Sequence, residues 1–302
     1  MTTEGATPNA GTADRQPPTF VFVHGANGSG GLWNPIILEL AAHGHRAVAV
    51  DLPGHGLQAG YPVSYQAPQD AAAFAEEPSL MAGITLDATV DFLTGVVRRV
   101  AVHGPVILVG QSLAGISITG VANRVPELIG QLVYVSAFCC VDLPTVYDYY
   151  LTPEGRSSAV LTVPKVGDPA RTGALRTNWR SADPAFLAGA QRAFLADGTA
   201  AQLRALIAGC QPDESALLSF TDARIDPGRW GGVPHTFVRL TDDQSIPLAL
   251  QDRMIAEADA AVPHNPFRVH TLNSSHLGYL LRPAEIASLL VRSARCEPGV
   301  PA

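Results

Sequence analysis

Residues 106–115 read Val106-Ile107-Leu108-Val109-Gly110-Gln111-Ser112-Leu113-Ala114-Gly115. Four consecutive aliphatic residues make a short strand buried on both faces. A tight turn follows at once, and helical spacing runs from Leu113 to Asn123. A serine at a strand–turn–helix junction is the context of a nucleophile elbow. Small residues at 110 and 114 let strand and helix approach, which pushes the serine out on strained backbone angles. Its hydroxyl then sits at a helix N-terminus, where the backbone dipole favours developing negative charge. The pattern G-x-S-x-G is imperfect here, because Ala114 replaces the last glycine and Gly115 follows it. The competing reading of Ser112 is an ordinary helix N-cap.

Outward from this stretch the chain alternates between strands and helices. Thr19–Val23, Ala47–Val50, Leu132–Val135, His235–Leu240 and Phe267–Leu272 read as further strands. Leu32–Ala42, Ile84–Val102, Leu248–Ala260 and Pro283–Ser293 read as helices. Such alternation implies a parallel sheet with helices on both faces. The rhythm stops between Val141 and Gly232, where only helical patches such as Pro184–Leu195 and Ala200–Ala208 appear. No strand is expected there, and 141–232 reads as a helical cap inserted into a core of 19–140 and 233–302. The long segment 57–81 is either a lid edge or a disordered loop. Residues 1–18 read as a frayed tail.

A nucleophilic serine needs a base and an orienting acid. Of nine histidines, His276 is best placed, in the loop after the last strand and so at the same carboxyl edge of the sheet as Ser112. His270 lies within a strand, His235 opens one at the opposite edge, and His264 precedes one. His43, His45 and His103 sit near helix ends. His24 and His55 lie at the right edge but in glycine-rich turns that shape backbone. For the acid, Asp242 and Asp243 follow strand His235–Leu240, and spacing does not separate them. Asp142, after the fourth strand, is the reserve candidate.

Composition limits the partners. The 302 residues are 47% hydrophobic and 16% charged, enough to bury a sizeable core, and the net charge is -7. No basic cluster exists, so nucleic acid and anionic membranes are disfavoured. No run of about 18 apolar residues suggests a membrane span. The N-terminus does not read as a secretory signal. Cys139, Cys140, Cys210 and Cys296 have neither zinc nor disulfide-framework spacing, so no metal or cofactor is expected and a reducing cytoplasm is the default. A homodimer stays open.

Together, VFVHGANGSGGLW (21–33), DLPGHG (51–56), VGQSLAG (109–115), TDDQSIP (241–247) with Gln251, and SSHLGYLLRPAEIASLL (274–290) resemble the α/β-hydrolases. They are most similar to the plant methylesterase and hydroxynitrile lyase branch and its bacterial esterase relatives. The resemblance covers most of the core. It implies a mostly parallel, doubly wound sheet of about six strands with an inserted helical cap. It also implies that the acid, four residues before Pro247, is Asp243, and that the backbone N–H groups of Ala26 and Leu113 form an oxyanion hole. Esterases of this branch have glycine where this chain has Gly25, and the lyases have a hydroxyl residue. The lyases also carry lysine after the catalytic histidine, where this chain has Leu277. The expected function is therefore ester hydrolysis, carboxylesterase-type, on a small apolar or aromatic ester.

Other Ser-His-Asp chemistries remain alternatives: thioesterase, lactonase, C–C hydrolase or acyltransferase. A non-catalytic ligand-binding member of the fold is another. A nucleotide-binding oxidoreductase draws on Gly25-Ala26-Asn27-Gly28-Ser29-Gly30-Gly31 and Asp51. It lacks the third glycine, since position 33 is Trp, and has no Tyr-x-x-x-Lys pair.

Overall fold

The computed structural model describes residues 16–295; most of the expected tail, up to position 15, and Cys296 lie outside them. The strands are β1 (Thr19–Val23), β2 (Arg46–Val50), β3 (Val106–Ser112), β4 (Ile129–Ala137), β5 (Ala174–Arg176), β6 (Asp213–Ser215), β7 (His235–Leu240) and β8 (Arg268–Leu272). Six of them form one sheet in the order β2-β1-β3-β4-β7-β8, and every pairing is parallel. The order reverses between β1 and β3. Loops leaving the carboxyl ends of those two strands therefore diverge and open a crevice, the place where such sheets bind ligands. Gly25-Ala26 follows β1 and Ser112 ends β3, so both stand at that crevice.

Alternation along the strands explains the layers. Phe20 and Phe22 point to one face with Trp33, Ile36, Leu40 and Leu290. Val21 and Val23 point to the other with Leu93, Ile118 and Met254. The first face is covered by α1 (Asn34–Ala42) and the last helix (Pro283–Arg295). The second is covered by the helices 86–101, 114–124 and 248–261. Burial on both faces is why these strands read as continuous apolar runs rather than polar–apolar alternation.

The remaining helices, in chain order, are α2 (Ala71–Glu76), α3 (Leu86–Ala101), α4 (Ala114–Arg124), α5 (Val146–Leu151), α6 (Pro169–Thr172), α7 (Pro184–Phe194), α8 (Ala200–Ala208), α9 (Ala216–Phe220), α10 (Leu248–Ala261) and α11 (Pro283–Arg295). Helices α5 to α9 fall between β4 and β7. Val163, Trp179, Phe186, Ala190, Leu203 and Ile207 form a separate small core there. That segment also contains an antiparallel ribbon of β5 and β6, which corrects the expectation of no strand. Three residues per strand are too few to show a two-residue period.

The ribbon anchors segment 57–81. Arg176, fully buried, donates to both carboxylate oxygens of Asp213, from Nε at 2.6 Å and Nη2 at 2.7 Å. Its Nη1 donates to the carbonyls of Phe74 and Glu77. A buried guanidinium is tolerated only when its donors are met this fully. Arg180 lies over the Tyr65 ring and donates to the Tyr65 carbonyl. Segment 57–81, with α2 and short 3-10 turns, is thus built into a wall beside the ribbon.

Candidate active site

Ser112 ends β3 with φ of 55°, and Leu113 leads into α4. A non-glycine residue in this left-handed region is strained and is held only where its surroundings over-determine it. Here the Ser112 carbonyl accepts from Phe138 N–H at 3.0 Å, and β3 is locked between β1 and β4. The close approach expected at Ala114 is made instead at Gly115. A Cβ there would lie 2.1 Å from the Phe138 carbonyl oxygen. This is why the turn accepts a methyl group at 114.

His276 and Asp243 meet. His276 Nδ1 lies 2.6 Å from Asp243 Oδ2, and both side chains are buried. Asp243 Oδ1 accepts from the N–H groups of Ser245 (2.7 Å) and Ile246 (2.9 Å), and Oδ2 also accepts from Ser136 Oγ (2.6 Å). Four donors hold the carboxylate fixed in place. Asp242 is exposed on the same loop, and Asp142 is exposed beside Glu257. Gln251 shapes the acid loop from α10, bonding both backbone groups of Leu240 and the Ile246 carbonyl. The inserted segment holds the histidine loop: Leu277 N–H donates to the Phe194 carbonyl, and Ser275 N–H and Oγ donate to Asp197.

With Nδ1 facing a carboxylate, the proton sits on Nδ1 and Nε2 keeps a lone pair. That lone pair is taken by Gln111, whose Nε2 stands 2.9 Å away. Gln111 Oε1 in turn crowds Gly25, where an added Cβ would lie 2.5 Å from it and 2.9 Å from Ser112 Cβ. Glycine at 25 is thus a requirement of space.

Ser112, His276, Gln111, Ala26 and Leu113 all line one cavity of about 310 Å³. Among the described residues, no group accepts a hydrogen bond from the N–H of Ala26 or Leu113. The lining is mostly apolar, and its charged members are Glu214 and Lys165. Tyr147, Leu161 and Phe220 line it yet remain 43%, 51% and 53% exposed, so they mark its mouth. The rings of Tyr147 and Phe220 pack on each other there, with centroids 4.8 Å apart.

A buried ionic group lies behind the first loop. His55 Nε2 is 3.2 Å from Glu214 Oε2, and His55 Nδ1 is 3.0 Å from the Pro53 carbonyl. Burial disfavours the His55 cation, but the Glu214 carboxylate outweighs burial and raises its pKa. Burial likewise opposes the Glu214 anion, and His55 together with the N–H groups of Asn27 and Ser215 lowers its pKa. Glu214 Oε2 accepts from Asn27 N–H at 3.0 Å, and Asn27 Nδ2 donates to the Gln211 carbonyl. The inserted segment thereby grips the loop that presents Ala26. His24, neighbour of His55, is neutral: burial and the His55 charge push its pKa down to about 4.

Of the residues expected from sequence, Ser112, His276, Ala26 and Leu113 line one cavity, and Asp243 stands against His276. The sequence reading of His24 and His55 as loop-shaping residues fits His24 but leaves out the His55–Glu214 pair. Ser136 and Glu214 gave no signal, and neither did the pairing of Gln111 with His276, because each acts through a partner remote in sequence. The oxidoreductase alternative loses its footing, since Asp51 Oδ1 accepts from Gly30 N–H at 2.7 Å inside the glycine-rich loop. The donor and the acid which that reading reserved for a dinucleotide are spent on each other.

Comparison with known proteins places this geometry among relatives. A family model described as "Alpha/beta hydrolase family" matches residues 20–289. A putative chloroplastic methylesterase of Arabidopsis thaliana is 20% identical over 298 residues, 95% of this chain and 66% of that protein. An esterase of Mycobacterium tuberculosis is 31% identical over 118 residues, 39% of this chain and 32% of that protein. The chain thus spans less than two thirds of the length of either. The crystal structure of a pyrethroid hydrolase from Sphingobium faniae superposes with a TM-score of 0.71 at 21% identity, covering 94% of this chain and 99% of that one.

Proposed function

The chain belongs to the alpha/beta hydrolase family, and from that premise we propose that it is a carboxylesterase-type serine hydrolase acting through Ser112, His276 and Asp243. The observation that carries this reading is the 2.6 Å contact of His276 Nδ1 with Asp243, in a cavity that Ser112 also lines. Ser112 Oγ attacks the ester carbonyl carbon while His276 Nε2 takes its proton. Asp243 fixes the tautomer and stabilises the imidazolium. The Ala26 and Leu113 N–H groups receive the oxyanion, each donor contributing about 3 kcal/mol in the transition state. The imidazolium gives its proton to the leaving alcohol. Water, deprotonated by His276, then releases the acid and restores Ser112. Gln111 has to leave Nε2 for the first step to occur.

The apolar lining supports a small apolar or aromatic ester. Relatives named methylesterase and pyrethroid hydrolase point to ester bonds. A fluorophosphonate probe should label the wild type and not Ser112→Ala, and nitrophenyl esters should be hydrolysed by the former alone. Equal labelling and turnover in both would overturn the assignment. Running thioester and lactone substrates alongside separates the hydrolytic alternatives.

A further inference from the structure

Of the 20 lysines and arginines in the chain, one is a lysine, Lys165. It lies between a 3-10 turn (Ala159–Thr162) and α6, and it lines the cavity. Its segment is seated along β5 by Val166 N–H donating to the Arg176 carbonyl at 2.9 Å. The ammonium donates to Thr177 Oγ1 at 3.0 Å, and Thr177 is fully buried. Among the described residues, this is its hydrogen-bond partner, and no carboxylate pairs with it. Burial alone draws its pKa down to about 8, with no neighbouring charge contributing. The residue as a whole nonetheless stays exposed, at the edge of the cavity it lines.

The other charged lining residue offers it nothing. Glu214 is committed to His55, Asn27 and Ser215. An ammonium has three donors and no acceptor, and Thr177 uses one. Val163, Leu175 and Trp179, close to Lys165 or Thr177 in sequence, line the same cavity, and none carries a side-chain acceptor. The ammonium's two remaining donors are left to solvent or to a ligand. Every other basic position in the chain is arginine. A ligand that covers the apolar wall and brings an anion displaces that water, and a charge pair gains strength where water is excluded.

We propose that Lys165 binds an anionic group carried by the substrate, so that the ester cleaved at Ser112 bears a carboxylate remote from its scissile carbonyl, with a hydrocarbon span between. This deepens the esterase reading and rests on it. The apolar lining takes the span, and the amine, steadied by Thr177, takes the carboxylate. Half-esters of dicarboxylic acids are the simplest members of the class.

The test pairs nitrophenyl esters of equal chain length that end in a methyl group or a carboxylate, across a series of lengths. At the best length the wild type should prefer the carboxylate ester in kcat/KM by about tenfold or more, the range of a charge-assisted hydrogen bond. The preference should lie in KM, as uniform binding does. Lys165→Met should bring the ratio close to one, and Lys165→Arg should retain part of it. A ratio unchanged in Lys165→Met, or no preference at any length, overturns the proposal.

A second arm needs no turnover. With one lysine in the chain, acetylation followed by mass spectrometry reads Lys165 alone, and the N-terminal amine serves as reference. In Ser112→Ala, a linear dicarboxylate should protect Lys165 while the matching diol should not. Protection without ester cleavage in the wild type would refute the esterase reading and keep this site. Cleavage with neither protection nor preference would refute the site and keep the esterase.

Discussion

The Gln111 amide donates from Nε2 to His276 Nε2 across 2.9 Å, so the base and the residue before the serine are hydrogen-bonded to each other. The donor follows from the tautomer: Asp243 holds the Nδ1 proton, which leaves Nε2 able only to accept. This bond competes with the serine hydroxyl for one lone pair. A neutral hydrogen bond is worth about 0.5–1.5 kcal/mol net. Gln111→Met, similar in length and without a donor, should therefore raise kcat/KM on a small nitrophenyl ester by about two- to tenfold. A fall would mean that the amide positions the imidazole rather than blocking it.

Asp243→Asn should lower kcat by about four orders of magnitude, since an amide at this position favours the wrong imidazole tautomer. Asp242→Asn, on an exposed neighbour, should change it less than about twofold. Steady-state kinetics on both variants decide, and an equal or larger loss at 242 would reverse the assignment.

Gly25→Ala tests the crowding of the first loop. Gln111 can turn away from the new methyl group, but Ser112 Cβ, 2.9 Å from it, cannot. The loop has to shift, carrying Ala26 N–H off its target. The expected loss is about 100-fold in kcat, the scale of one oxyanion donor. Thermal unfolding should move little by comparison, and a loss in stability matching the loss in rate would point to misfolding instead.

Glu214→Ala leaves His55 buried without its counter-charge and should cost about 3–5 kcal/mol in a denaturant titration. The pair also sets a pH window. His55 has a raised pKa, so its contribution is full below its usual 6.5 and is lost as pH rises through the folded value. Glu214 has a lowered pKa, so its contribution is full above its usual 4.5 and is lost as pH falls through the folded value. The stability gap between wild type and variant should be widest between 4.5 and 6.5 and narrow on the alkaline side. A gap independent of pH would show that the pair is not ionised.

The core was legible because burial on both faces writes itself as aliphatic runs, and a parallel sheet sends every following loop to one edge. Ser112, Asp243 and His276 could be chosen from that rule alone, apart from the step from Asp242 to Asp243, which needed a family resemblance. The close approach expected at Ala114 falls at Gly115, since its position depends on where Phe138 passes. Strands β5 and β6 were missed because three residues carry no period. The pairings of Gln111, Glu214 and Lys165 were invisible for a shared reason. Each gains its meaning from a segment more than ten residues away, and for Gln111 and Glu214 the partner lies more than 150 residues off.

The Arg176 clamp has a consequence for traffic. It ties the ribbon to segment 57–81 through a fully desolvated charge, and no thermal fluctuation opens such a corner cheaply. The soft side of the cavity is the lip formed by Tyr147 and Phe220, two exposed rings in mutual contact. Exposed side chains reorient in picoseconds to nanoseconds, whereas packed domains swing in microseconds or longer. Entry here then asks only that two touching rings turn aside, while the clamped wall stays where it is.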